Sequence, residues 1–252
     1  VLAVAKVAAV LVKESDPVGF AKYIALFIPV WWAWVGYTFY ADRFESNEPE
    51  YRILMFAAML TVAALALTIG DAFTDRGSAP FAVCYALVLL VLCAMYARTA
   101  IHVPLARRLS AQFIVGLGIS ALIFIFSLFF DPPVCYTIWA GGVLLTLATP
   151  FLNVKLTRVI PIDHSHLPER FGLFTIIVLG EAVIATANGA ANVPWNLTTV
   201  GIAALGFAMA ASIWRINFEF VEDDAIKQPG LLPRFVYMYG HFFIVASIIA
   251  TG

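Results

Sequence analysis

The sequence predicts an all-α fold, a polytopic transmembrane helix bundle with about nine spans. Hydrophobic residues make up 62% of the chain and charged ones only 12%, with a mean hydropathy of +0.92. A soluble domain needs roughly a quarter of its residues charged to cover its surface. Apolar runs long enough to cross the ~30 Å hydrocarbon core recur along the whole length. The connections between them are short, and the basic residues crowd into every second one. Backbone groups in lipid must be satisfied within the segment, so runs of this length read as helices rather than barrel strands.

The first apolar run, 1–12, is too short to span and reads as the far half of a helix whose start lies upstream. Runs of span length follow at 18–41, 53–69, 79–97, 113–130, 134–154, 171–187, 197–213 and 235–252. Most are apolar all round rather than on one stripe, as lipid-facing helices should be. The chain opens at Val1 with no initiator Met and no basic leader, and it stops inside the last run, so both ends are expected to lie within a longer protein. Cys84, Cys93 and Cys135 lack metal or redox spacing; they are expected to pack as small apolar residues, the first two on opposite faces of one helix. The net charge of −1 leaves no bulk field for nucleic acid.

Orientation follows from the basic residues. Connections 42–52, 98–110, 155–170 and 215–234 fall on one side and hold eleven of the fifteen Lys and Arg, from Arg43 and Arg52 through Arg170 to Arg234. The other side holds only Lys13, Lys22 and Arg76. That bias predicts a bacterial inner-membrane protein whose charged loops are cytoplasmic.

Sliding the sequence by 182 residues lays positions 1–70 on 183–252 without a gap. Thirteen positions are identical, among them Gly19/Gly201, Trp32/Trp214, Asp42/Asp224, Arg52/Arg234 and Gly70/Gly252. The spans coincide as well. This predicts parallel six-helix repeats: residues 1–182 form the first, with its first helix truncated, and 183–252 start the second, whose first helix begins near 170. Parallel halves of this kind are a transporter architecture. An intact protein is then expected to have about twelve spans. Chance alignment of Ala-rich helices is the alternative.

Two segments carry a family resemblance. Trp31-Trp32-Ala33-Trp34, followed by Tyr40-Ala41-Asp42-Arg43-Phe44 and Tyr51-Arg52, resembles the second helix of the bacterial low temperature requirement A family. His166-Leu167-Pro168-Glu169-Arg170-Phe171-Gly172-Leu173-Phe174-Thr175-Ile176-Ile177-Val178-Leu179-Gly180-Glu181 resembles that family's most distinctive segment. The resemblance covers essentially the whole chain. It implies a multi-pass bacterial membrane protein connected by name with growth in the cold, and it supplies no reaction.

Glu181 leads the candidate residues. It lies eleven residues beyond Arg170, the anchor of that helix's basic end, and so roughly 16 Å deep, near mid-membrane. A charged carboxyl there costs several kcal/mol, so it is protonated or paired; a protonatable carboxyl at mid-membrane is what proton coupling needs, whereas a pair would keep it ionised. The alternative is a neutral Glu that joins two helices, and neighbouring Gly180 is expected to let another helix approach. Arg215 and Glu219, at i and i+4, can pair along one face; if buried, Arg215 is the natural counter-ion for Glu181, and otherwise it snorkels at the interface. His241, seven residues past Arg234, could relay protons with Glu181, though a lone membrane histidine more often makes one interhelical hydrogen bond. Lys6 could be a further counter-ion or snorkel outward. Trp32 and Trp34, with Trp31, could line a solute cavity; helix packing is the commoner role for such a cluster. Asp163-His164-Ser165-His166 invites a metal reading, but with no further Cys or His nearby no metal site is expected, and Pro168 and Glu169 suit a helix start.

No nucleotide loop, nucleophile elbow or zinc-protease helix is present in the sequence. No enzyme and no cofactor is therefore expected. The expected function is a secondary transporter or permease, proton-coupled through Glu181, with Arg215, Glu219 and His241 as partners. A non-transporting membrane sensor or assembly factor that supports growth in the cold is the alternative. Expected partners are the lipid bilayer and a small solute or proton, without nucleic acid; a homo-oligomer is compatible with the same reading.

Overall fold

The computed structural model describes residues 2–152, 156, 160, 166–191, 193–221 and 231–251. Among these, nine α-helices follow in order, with no strand: α1 Leu2–Lys13, α2 Pro17–Phe44, α3 Pro49–Thr68, α4 Ser78–His102, α5 Arg107–Phe126, α6 Val134–Ala148, α7 His166–Ala191, α8 Leu197–Ile216 and α9 Leu231–Thr251. Short 3-10 turns extend α3, α5 and α6, and a π turn, Asn217–Val221, continues α8. Seven of the helices are long and apolar enough to cross a membrane. Among the described residues, α1 is too short, and in α9 the apolar stretch whose residues are described without a break is Tyr239–Ala250.

The helix starts have local causes. Asp16 caps α2 by accepting from the Gly19 amide at 2.7 Å, and Pro17 follows at the first helical position, where its missing N–H costs nothing. The α1–α2 turn is so tight that a Cβ on Gly19 would sit 1.7 Å from the Glu14 carbonyl oxygen. Pro49 opens α3 in the same way, and Asn196 caps α8 by accepting from the Thr199 amide at 2.9 Å. Most helices run a turn or more beyond the apolar runs that predict them. α4, for example, extends from the expected 79–97 to Ser78–His102. The added turns lie outside the hydrocarbon zone, where polar residues continue a helix freely until a cap or proline ends it.

α2 is the axis of the bundle. It has 28 residues, about 42 Å of helix, and it packs on α4 and α6 on one side and on α7 and α9 on the other. Its tyrosines bridge to neighbouring backbones: the Tyr37 hydroxyl donates to the Val88 carbonyl at 2.8 Å and the Tyr23 hydroxyl to the Ala246 carbonyl at 2.6 Å. Tyr40 donates to the Met95 carbonyl at 2.9 Å, in reach of Thr99 Oγ1 as well. In an apolar surrounding these bonds leave no phenol unsatisfied at the contact.

α3, α4, α5 and α6 pack in sequence order. Close approaches there depend on glycine: a Cβ on Gly116 would lie 2.3 Å from Thr149 Oγ1, and one on Gly142 would lie 2.8 Å from the Phe124 ring. α1 packs on α2 and α3, and α7 packs on α8 and α9. α8 contains no buried residue and leans on α7, where Gly206 meets Thr186. Gly180, expected to admit a helix, has nothing within 4 Å of an added Cβ; among the described residues the close approach to α7 is made at Gly206 instead. Cys84 and Cys93 are half-buried and Cys135 is buried, all three as free thiols.

Candidate functional site

The end of the bundle that carries the arginines fixes how α7 enters it. Arg98, at the end of α4, pairs with Glu48 and lies 3.8 Å from Glu50, both at the start of α3. Arg170, in the second turn of α7, pairs with Glu45 at the end of α2, Nη2 to Oε2 at 3.1 Å. Arg43 Nε donates to the Ile160 carbonyl at 3.3 Å. α7 is thereby set antiparallel to α2. α1 is antiparallel to α2 as well, because a three-residue turn joins them. α1 and α7 therefore run parallel, and Lys13 lies at the same end of the bundle as Asn188.

Trp34, Trp31, Phe171 and Phe174 lock the lower part of α7 to α2. Trp34 lies 4.8 Å from Phe171 and 4.3 Å from Phe174 between ring centroids, and Trp31 contacts both rings edge-on at 5.9 and 5.6 Å. Trp32 points the other way. It stacks on Tyr239 of α9 at 6.1 Å and borders a 30 Å³ apolar void against α4, too small for a solute. Of the two roles open to the tryptophans, packing is the one these contacts serve.

Beyond this aromatic lock, α7 and α1 border a groove of 530 Å³ that Ile249 of α9 also lines. Glu181 and, two turns further along α7, Asn188 line it; Lys13 lines it from α1. The remaining wall is almost all small side chains, such as Ala8, Ala9, Ala182 and Ala185. Glu181 is half-buried, and among the described residues neither it nor Lys13 has a hydrogen-bond or ion-pair partner. An acidic and a basic side chain share one groove without touching.

The other candidates do not converge on Glu181. Arg215 Nε donates to Glu219 Oε2 at 2.9 Å along the same helix, and its side chain is 70% exposed. The condition for Arg215 to serve as the buried counter-ion is not met, and it does not line the groove. His241 is buried 5.3 Å from Phe171 and 4.1 Å from Tyr237, ring to ring. Its Nδ1 donates to the Tyr237 carbonyl at 2.9 Å, so the expected interhelical bond is replaced by one within α9, and Nε2 has no partner among the described residues. Lys6 is exposed. Asp163, His164 and Ser165, with the side chain of His166, lie outside the described residues, as do Lys155, Arg158, Asp224, Lys227 and the side chain of Arg234. No group of three metal-ligating side chains occurs among the described residues.

The sequence reading missed Lys13 as a site residue, counting it only towards orientation. Asn188 was legible, since i and i+7 from Glu181 share one helix face. Lys13 was not, because only the packing of α1 on α7, remote in sequence, brings it there.

The chain is similar to known sequences throughout. The family model for the bacterial low temperature requirement A protein (LtrA) matches residues 1–252. An uncharacterized protein of Rhizobium meliloti (strain 1021) is 26% identical over 262 residues, covering 95% of this chain and 62% of that protein. The chain thus spans about three fifths of the length of this relative. No solved structure matches.

Proposed function

The chain belongs to the bacterial low temperature requirement A family, and on that premise we propose that this membrane protein is a secondary transporter of the inner membrane, with Glu181 as its coupling or solute-binding carboxyl. The single observation that carries the reading is a carboxyl, unpaired among the described residues, lining a 530 Å³ groove at mid-helix depth. A carboxyl held only to join helices would have a partner. One that must bind and release a proton or a cation needs an open face and a low cost for either charge state.

The helix plan supports a transporter built from parallel repeats. Shifted by 182 residues, the span of α2 overlaps that of α8 and the span of α3 overlaps that of α9. The first helix of each unit packs on the next two, α1 on α2 and α3, α7 on α8 and α9. Glu181 and Lys13 then stand where two units meet, the usual place for a transported solute. The arginine-bearing end is the cytoplasmic one on the positive-inside rule.

A second reading has its own support. α8 presents Leu205, Phe207 and Trp214 among many exposed apolar side chains, and a membrane assembly factor would use such a face to hold a partner. The two readings differ in motion. With Cys84, Cys93 and Cys135 replaced by Ser, a Glu181→Cys variant in sealed vesicles is treated with a membrane-impermeant thiol reagent from either side. A transporter exposes position 181 to one side and then the other as conditions change. Labelling from neither side, under any condition, rules transport through this groove out.

A further inference from the structure

Resting on the transport reading, the groove also carries information about its solute. We infer that it binds a small zwitterion of amino-acid or dipeptide size, with the ligand's ammonium group on Glu181 and its carboxylate on Lys13.

Three features lead there. First, the two charges are opposite in sign, line the same groove and are both unpaired among the described residues. The adjacent acid, Glu14, does not neutralise Lys13, because it is taken by Lys22 of α2. Second, they are held apart. α1 and α7 run parallel, Lys13 lies towards the same end of the groove as Asn188, and Asn188 is seven residues beyond Glu181, a rise of roughly 10 Å. A single ligand that meets both must carry its opposite charges at separate ends. Third, alanines such as Ala8, Ala9, Ala182 and Ala185 wall the space between them. They leave room for a ligand and offer it methyl contact, with no further charge.

The electrostatics disfavour simpler ligands. A lone cation on Glu181 gains nothing from Lys13, and a lone anion on Lys13 gains nothing from Glu181. A zwitterion satisfies both ends at once, and 530 Å³ is within the range of small-ligand pockets.

Thermal unfolding of the full-length protein in detergent tests this, because a ligand that binds the folded state raises its midpoint. The probes are L-alanine and dialanine, with ethylamine and propionate as single-charge controls at matched ionic strength. The inference expects a dose-dependent rise with L-alanine or dialanine and none with either control. Lys13→Gln, a change at an exposed position, should keep the ligand-free midpoint and lose the zwitterion response, as should Glu181→Gln. Ethylamine acting as well as L-alanine, an unchanged response in Lys13→Gln, or no response to either zwitterion overturns it. The result separates from the transport reading. Glu181-dependent flux of another solute class leaves transport standing without the zwitterion, and zwitterion binding without flux leaves the site without transport.

Discussion

The guanidinium of Arg170 lies 3.1 Å from the carboxylate of Glu45 and ties the start of α7 to the end of α2. The pair is partly exposed, at 34% and 68% of the two side chains, so water competes with it. A double-mutant cycle with Arg170→Ala and Glu45→Ala is expected to give a coupling of about 0.2–1 kcal/mol, measured by denaturant unfolding in detergent. A coupling of several kcal/mol would contradict the description of this pair as a surface tie.

The aromatic lock above it should matter more. Trp34→Ala deletes the ring set against Phe171 and Phe174 and is expected to cost about 3–5 kcal/mol, whereas Trp34→Phe should retain much of that. The unfolding midpoints of the two variants, compared directly, test the order.

Tyr23 donates to the Ala246 carbonyl at 2.6 Å, the polar link between α2 and α9. Tyr23→Phe keeps the ring and removes the donor. The expected loss is about 0.6–2 kcal/mol, in the range of membrane interhelical hydrogen bonds. Hydrogen exchange should show faster opening of the upper part of α9, while α4 and α5 are unchanged.

His241 gives the opposite expectation. Its Nε2 is buried among aromatic rings with no partner among the described residues, so His241→Phe removes a desolvated polar atom and fits the same surroundings. The variant should be at least as stable as the parent and should keep any transport activity. Loss of activity with stability retained would restore the proton-relay role that the sequence suggested.

Glycine positions give a further contrast. Gly19→Ala forces a Cβ into the Glu14 carbonyl oxygen and should destabilise by roughly 1–3 kcal/mol or more. Gly180→Ala enters open space and should fall within about 0.5 kcal/mol of the parent. Unfolding midpoints of the two variants decide it.

These particulars mark how far the sequence could be read. Hydropathy located the nine described helices because each apolar run is bounded by charge or by a starter such as Pro17 or Pro49. It placed the ends too early, since Arg98 and His102 continue α4 outside the hydrocarbon zone and close it against Glu48 and Glu50. Glu181 stood out because a carboxyl inside an apolar run is costly wherever it points. The surroundings of Glu181 were not legible. Arg215 turns to Glu219 on its own helix, His241 to the carbonyl of Tyr237, and Lys13 reaches the groove only through packing between distant segments. Periodicity along one helix carries no information on which neighbour a side chain meets.

The central claim is that Glu181 carries the coupling, and proton movement in proteoliposomes tests it most directly. Full-length protein is reconstituted with a pH-sensitive dye in the lumen, and a panel of solutes that includes amino acids is added outside. The account predicts solute-dependent proton movement in the wild type and none in Glu181→Gln, with the variant's unfolding midpoint unchanged. Proton movement at the wild-type rate in Glu181→Gln, or none in the wild type with any solute, would contradict it.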